Sequence, residues 1–216
     1  MQKLSLIEPK LSHTLYNDFH KDMIDEDEVI IQDMVIQDVS FADVSKRKIE
    51  FNSCILKNIE FFNSALLQTS FIDVIFEHCD LSNLDLSGST IYRCQFKNCR
   101  LMGSDLSGSI FQNVLFDNCN SKYINLSNCK MKKLKMVNTD LKDASIIESQ
   151  LSFTTFNDCN FENVELLHTP LKDINLSTCN ISGLKISGQE LQGAIVSREQ
   201  AITLVSLLGL VIDEKE

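Results

Sequence analysis

From Ile31 to Val196, every fifth residue falls in one unbroken register, and 32 of its 34 positions are Ile, Leu, Phe, Met or Val. Only Lys46 and Ser121 depart from it. The chain as a whole is 44% hydrophobic, so a register chosen blindly would hold about half as many apolar residues. A period of five is neither the 3.6 of a helix nor the 2 of a strand. It requires a repeat architecture, and the repeat constrains the whole fold.

The neighbours of each fifth residue, or centre, complete the unit. Two residues before the centre the side chains are small, as at Cys54, Ser64, Thr69, Cys79, Ser89, Cys94, Ser104 and Ser109. Two residues after it, 22 of the 34 positions are Asn, Asp or Gly, which accept turn conformations. Each unit therefore offers one large and one small inward residue, then a corner. A chain that turns at every unit coils, and its coils stack by strand-type pairing about 4.7–4.9 Å apart.

Units such as Ser104-Asp105-Leu106-Ser107-Gly108 resemble the pentapeptide repeat, Ala-Asp/Asn-Leu-X-X. The resemblance implies an all-β solenoid, a right-handed quadrilateral β-helix in which four units make one coil. It further implies roughly eight coils and a rod of about 40 Å. The domain reading is an N-terminal cap over 1–28, a β-helix over 29–196 without a large loop, and a C-terminal helix and strand over 197–216.

The formal charge of −10 argues against a general nucleic-acid binder, which needs a basic stripe to displace counterions. No signal peptide is apparent at residues 1–10, and no apolar run is long enough for a membrane helix. The expectation is a cytoplasmic protein with reduced thiols. All eight cysteines lie two residues before a centre, and Cys79, Cys99, Cys119, Cys159 and Cys179 differ by multiples of twenty. That column reads as small buried hydrophobes in the place of Ala rather than a metal or redox ladder, since ligand spacings such as Cys-x-x-Cys are missing. His13, His20, His78 and His168 form no sequence cluster, and no phosphate loop or nucleophile motif appears. No enzyme activity, metal or cofactor is expected.

At the C-terminus, Ser197 and Gln200 have the spacing of a capping box, opening a short helix through Ala201, Ile202, Leu204, Val205, Leu207 and Leu208. Gly209 would end it, before a terminal strand over Leu210-Val211-Ile212. Apolar surface left over at this end marks an interface, which a symmetric dimer would pair with itself. The segments Gly193-Ala194-Ile195-Val196, Glu199-Gln200-Ala201-Ile202 and Leu207 to Ile212 resemble the tail of Qnr-type quinolone-resistance proteins of Gram-positive bacteria. That resemblance implies a head-to-head homodimer through Ala201, Ile202, Leu204, Val205, Leu207, Leu208 and Leu210. It also implies a DNA mimic that binds DNA gyrase and topoisomerase IV and protects them from fluoroquinolones, with no direct nucleic-acid or membrane partner. The unbroken register leaves no room for the loops some Qnr proteins carry.

Four units per coil sort the charge by side. The first side is centred on Phe41, Phe61, Leu81 and their successors, and the second on Lys46, Leu66, Leu86 and theirs. Between residues 59 and 168 these two sides carry nine acids, Glu60, Asp80, Asp85, Asp105, Asp140, Asp143, Glu148, Glu162 and Glu165, against three bases. The third and fourth sides, centred on Phe51 and Leu56 and their successors, carry four acids and six bases over the same span. The acidic pair is the expected partner-binding surface, with Leu67, Ile147 and Leu167 as outward aliphatics beside it. A scaffold role with another protein partner, or immunity against a gyrase-directed toxin, fits the repeat equally well.

Overall fold

The structure, a computed structural model, describes residues 5–205. Its backbone pairs each residue with the one twenty positions later, always in parallel, from Ile30↔Glu50 to Asn175↔Ile195. Twenty residues per coil place the centres in four inner columns. One runs Phe76, Phe96, Phe116, Met136 and Phe156, all buried. Flat rings match the spacing of the coils: Phe76 and Phe96 stack at 4.4 Å and Phe96 and Phe116 at 4.5 Å, with interplanar angles of 6° and 7°.

The corners explain the Asn, Asp and Gly preference. From Glu28 to Asp173 every fifth residue has a positive φ, between 47° and 70°. Asn, Asp and Gly enter this left-handed region at least cost. Thr178 breaks the series, as expected for a β-branched side chain, and its hydroxyl accepts the Asp158 N–H instead at 3.0 Å. At Gly103 a second constraint acts, because a Cβ would collide with the Asn83 amide oxygen one coil earlier.

The four sides are of two kinds. The third and fourth form one nine-stranded sheet, whose eight-residue strands Glu50–Lys57, Ser70–Glu77, Thr90–Lys97, Ile110–Asp117 and Lys130–Val137 run around the corner between them. The first and second begin as short strands, Ser40–Ala42, Ser45–Arg47, Glu60–Phe62 and Ala65–Leu67. From Asp80 onward they become single bridges joined by turns, as in Leu84 N–H to the Leu81 carbonyl at 3.2 Å and Ala144 to Leu141 at 2.9 Å.

The small inward position is a hydrogen-bond donor. Cys54, Cys79, Cys94, Cys99, Cys119 and Cys129 each direct the thiol at the carbonyl 23 residues earlier, between 3.2 and 3.6 Å. Ser104 and Thr169 make the same bond at 2.6 Å. Cys, Ser and Thr are thus interchangeable in one structural role, and among the described residues no three potential ligands gather to hold a metal. Burial pushes the Cys94 and Cys129 thiols up to about 12. Cys99 is held up by hydrogen bonding with Cys119 and Cys79, and then by burial. Hydrogen bonds from a neighbouring thiol pull Cys79, Cys119 and Cys179 down instead, but all eight cysteines are buried out of a reagent's reach, so they should be silent to a water-soluble disulfide reagent at pH 8. They should react fully once the chain is unfolded in guanidinium, and fast labelling of the native protein would contradict this packing.

Of the two breaks in the register, one has a local explanation. Lys46 sits in the first coil, where its ammonium reaches the Asp25 carbonyl of the chain covering the open end. Ser121 is 1% exposed between Leu101 and Leu141 in its column, and its hydroxyl has no partner. Ser121→Leu should raise stability by about 2 kcal/mol, since it adds a buried aliphatic and removes an unsatisfied hydroxyl. Thermal melting checks this; a lower midpoint would mean the column has already closed over the site.

The N-terminal region covers more than the end of the rod. Residues 19–24 close the first coil, with Ile24 buried, Phe19 and Met23 packed on the core and Phe19 edge-on to Phe41 at 6.0 Å. Residues 7–16 instead run along the flank as a strap, crossing successive coils at the corner between the third and fourth sides. The Ile7 N–H bonds Asn113, the Lys10 N–H bonds Asp73, the Ser12 N–H bonds Ser53, and Tyr16 pairs with Met34. Glu8 accepts from Gln95. Burial pushes the Asp73 carboxyl up, but hydrogen bonds from Arg93 and the Lys10 N–H, with the Arg93 charge, hold it below the ordinary carboxylate range.

At the other end, Ser197 and Gln200 form the reciprocal capping box. The Gln200 N–H reaches the Ser197 hydroxyl at 3.2 Å, and the Ser197 N–H reaches the Gln200 amide oxygen at 2.8 Å. The Gln200 amide nitrogen also donates to the carbonyls of Leu176 and Cys179, both at 2.8 Å, fastening helix α1 (Arg198–Val205) to the last coil. Nearby, the buried Glu190 carboxylate accepts from the His168 N–H and from the N–H and hydroxyl of Ser187. Burial raises its pKa, and these donors outweigh that and bring it to about 2.

Candidate functional site

The nine carboxylates of the first and second sides have two distinct tasks. Asp80, Asp85, Asp105 and Asp140 each accept the backbone N–H two residues later, at 3.0, 2.9, 2.8 and 3.2 Å, and so fix the turns of these sides. The sequence reading treated them only as surface charge. The signal was available, because Asn120, Asn125, Asn160, Asn175 and Asn180 occupy equivalent positions and make the same bond. Acid or amide at this position is a backbone requirement first and an electrostatic feature second.

Four of the nine are also partly neutralised. Arg100 lies 3.9 Å from Asp80, Lys122 3.3 Å from Asp140, Lys142 2.7 Å from Glu162, and Lys185 2.8 Å from Glu165. Asp143 accepts from the Asn163 amide at 3.0 Å. Glu60, Asp85, Asp105 and Glu148 have no ion pair among the described residues. Asp85 and Asp105 stack directly on adjacent coils, as do Glu60 and Asp80. With Asp143, whose partner is a neutral amide, Glu60, Asp85, Asp105 and Glu148 hold the unbalanced negative charge of the two sides.

The expected aliphatics Leu67, Ile147 and Leu167 are half-buried. The strongly exposed apolar side chains of these sides are others: Phe62 at 71%, Tyr123 at 58% and Met102 at 37%. Phe62 and Met102 follow centres on the first side, and Tyr123 occupies its corner. No periodic signal marked them, since outward positions carry no repeat constraint. The strap runs along the opposite corner and leaves both acidic sides uncovered.

Of the expected dimer residues, Leu204 is buried against this chain's own last coil, whereas Ile202 is 54% exposed. Ala201 is exposed and Val205 half-buried. Leu207, Leu208 and Leu210, with the expected terminal strand, lie outside the described residues.

The twenty-residue register, the left-handed corners and the paired large and small inward columns define this architecture geometrically. Residues 69–146 match the family model of the pentapeptide repeat region. The rod is a β-solenoid, and its matched stretch is similar to the pentapeptide repeat. The match falls on a stretch of the rod in which every centre but Ser121 is apolar and every corner but His78, Arg93, Tyr123 and Lys133 is Asn, Asp or Gly. Several solved structures are similar. QnrB1, a plasmid-mediated fluoroquinolone resistance protein, is 20% identical, with 83% of this chain and 100% of that one covered and a TM-score of 0.35. HetL, a regulator of heterocyst differentiation from the cyanobacterium Nostoc, is 14% identical over 76% of this chain and 87% of its own, with a TM-score of 0.33. A pentapeptide repeat protein of the Arabidopsis thaliana thylakoid lumen is 16% identical over 59% and 75%, with a TM-score of 0.46. A comparison with curated proteins finds no match. No helix among the described residues is long and apolar enough to cross a membrane.

Proposed function

We propose that this chain is a DNA-mimicking interaction protein whose first and second sides dock into the basic DNA channel of a type II topoisomerase, DNA gyrase or topoisomerase IV, in the cytoplasm. The observation that carries the reading is the set of carboxylates without an ion pair, Glu60, Glu148 and the stacked Asp85 and Asp105, on two adjacent sides that the strap leaves open. An Asn would serve the turns at 85 and 105 as well as Asp does, and like charges held one coil apart repel one another, whereas a basic channel would relieve them. Such complementarity acts mainly on association rate and specificity. The exposed Phe62, Met102 and Tyr123 beside the array supply the apolar anchors that interface energetics requires.

Two rods joined end to end through α1 and the residues after it, with Ile202 in the joint, would present about 80 Å, the length of roughly 24 base pairs at 3.4 Å each. The quinolone-resistance resemblance of the C-terminal sequence makes protection against fluoroquinolones the consequence to test. A gyrase supercoiling assay with the full chain should retain supercoiling at fluoroquinolone concentrations that stop the enzyme alone. No binding, no inhibition and no protection would leave the scaffold reading in its place.

A further inference from the structure

The third and fourth sides hold an unbalanced charge of the opposite sign, and it sits on one coil. Six bases fall on these sides between residues 59 and 168: Arg93, Lys97, Lys130, Lys132, Lys133 and Lys135. Arg93 is locked to Asp73 by two hydrogen bonds. Lys97 stacks between Glu77 on one coil and Asp117 on the next. The other four belong to strand Lys130–Val137, and their stacking neighbours are neutral on both sides. Lys130 lies between Ile110 and Gln150, Lys132 between Gln112 and Ser152, and Lys135 between Leu115 and Thr155. Lys133 is at the corner, flanked in the same column by Asn113 and Phe153. None of the four has an ion pair among the described residues, whereas Lys48, Arg93, Arg100, Lys122, Lys142 and Lys185 each find a carboxylate about one coil away.

Phe153 is the second observation. It stands at the corner one coil beyond Lys133, at a φ of 52°, and is 66% exposed. A bulky aromatic gains nothing from the left-handed region and usually avoids it, and strain of this kind tends to persist where function uses it. Among the described residues, the strap's farthest bond along this corner is the Ile7 N–H to Asn113.

We propose that Lys130, Lys132, Lys133, Lys135 and Phe153 form a binding site for single-stranded nucleic acid. Lysines along a strand receive successive phosphates, and an exposed ring beside them stacks a base, the combination that single-strand sites employ. Gln112 and Gln150, stacked against Lys132 and Lys130, add amide donors and acceptors at its margins. The site is independent of the topoisomerase reading, because it lies on the opposite pair of sides. At physiological salt the screening length is about 8 Å, so the acidic sides across the rod do not cancel it. The sequence excluded a general nucleic-acid surface from total charge, but the charge of this coil alone points the other way.

The test is fluorescence anisotropy of a labelled twelve-residue oligothymidylate with the full chain at 50 mM salt. Binding should weaken with salt with a log–log slope of about −2 to −3, set by three to four contacted phosphates. Phe153→Ala should weaken it roughly tenfold or more without lowering the melting temperature, as loss of one stacked base requires. Lys130→Gln combined with Lys132→Gln, Lys133→Gln and Lys135→Gln should abolish it, while Lys48→Gln, on another side, should leave it unchanged. Absence of binding at 50 mM salt would overturn the proposal. So would equal competition by a twelve-residue polyglutamate together with no effect of Phe153→Ala, since the coil would then be a dock for acidic protein segments.

Discussion

Phe96→Ala should lose about 3–5 kcal/mol of stability, the range for truncating a buried phenylalanine. Phe96 is fully buried, with Phe76 stacked on one face at 4.4 Å and Phe116 on the other at 4.5 Å. Its removal takes one ring from two stacks at once, each worth about 0.5–1.5 kcal/mol beyond area burial. A rod leaves little room for relaxation, because the coils above and below are fixed by backbone pairing from Ile75↔Gln95 to Gln95↔Leu115. The cavity therefore stays open, placing the cost at the upper end. Urea unfolding of the two proteins measures the difference. Phe96→Leu should lose less than half as much, and equal losses for both variants would show that ring stacking contributes nothing here.

The second large effect concerns the partner. Neutralising four of the unpaired acids by Glu60→Gln, Asp85→Asn, Asp105→Asn and Glu148→Gln should weaken topoisomerase binding by about 2 kcal/mol, near thirtyfold, if each charge contributes about 0.5 kcal/mol. Asn is the replacement of choice at 85 and 105 because Asn125 already makes the same turn bond in the same column, to the Ser127 N–H at 3.1 Å. Charge is removed and the backbone kept. Neutralising Glu162 and Glu165 should cost less, since Lys142 and Lys185 already balance them at 2.7 and 2.8 Å.

Fold and site were legible to different degrees, for physical reasons. The inner columns and corners obey steric rules that leave few residue types at each position, so Leu101, Cys99 and Gly103 announce their places in one coil. The capping box at Ser197 and Gln200 was equally readable, because its two bonds depend on local spacing alone. Outward residues face no such rule. The strap was invisible for that reason: its backbone N–H groups meet Ser53, Asp73 and Asn113, 41, 63 and 106 residues away, and those corner residues look like any other turn. Charge was legible as a sum by side but not as pairs. Whether Asp80 is free depends on Arg100, twenty residues on, and the reach of a long side chain is not written in the repeat.

The most direct measurement of the central claim is binding of DNA gyrase by the wild-type chain and the four-acid variant at two salt concentrations. The account predicts wild-type binding that weakens as salt rises, and variant binding that is about thirtyfold weaker at low salt with a smaller salt dependence. Equal affinity and equal salt dependence for both proteins would contradict it.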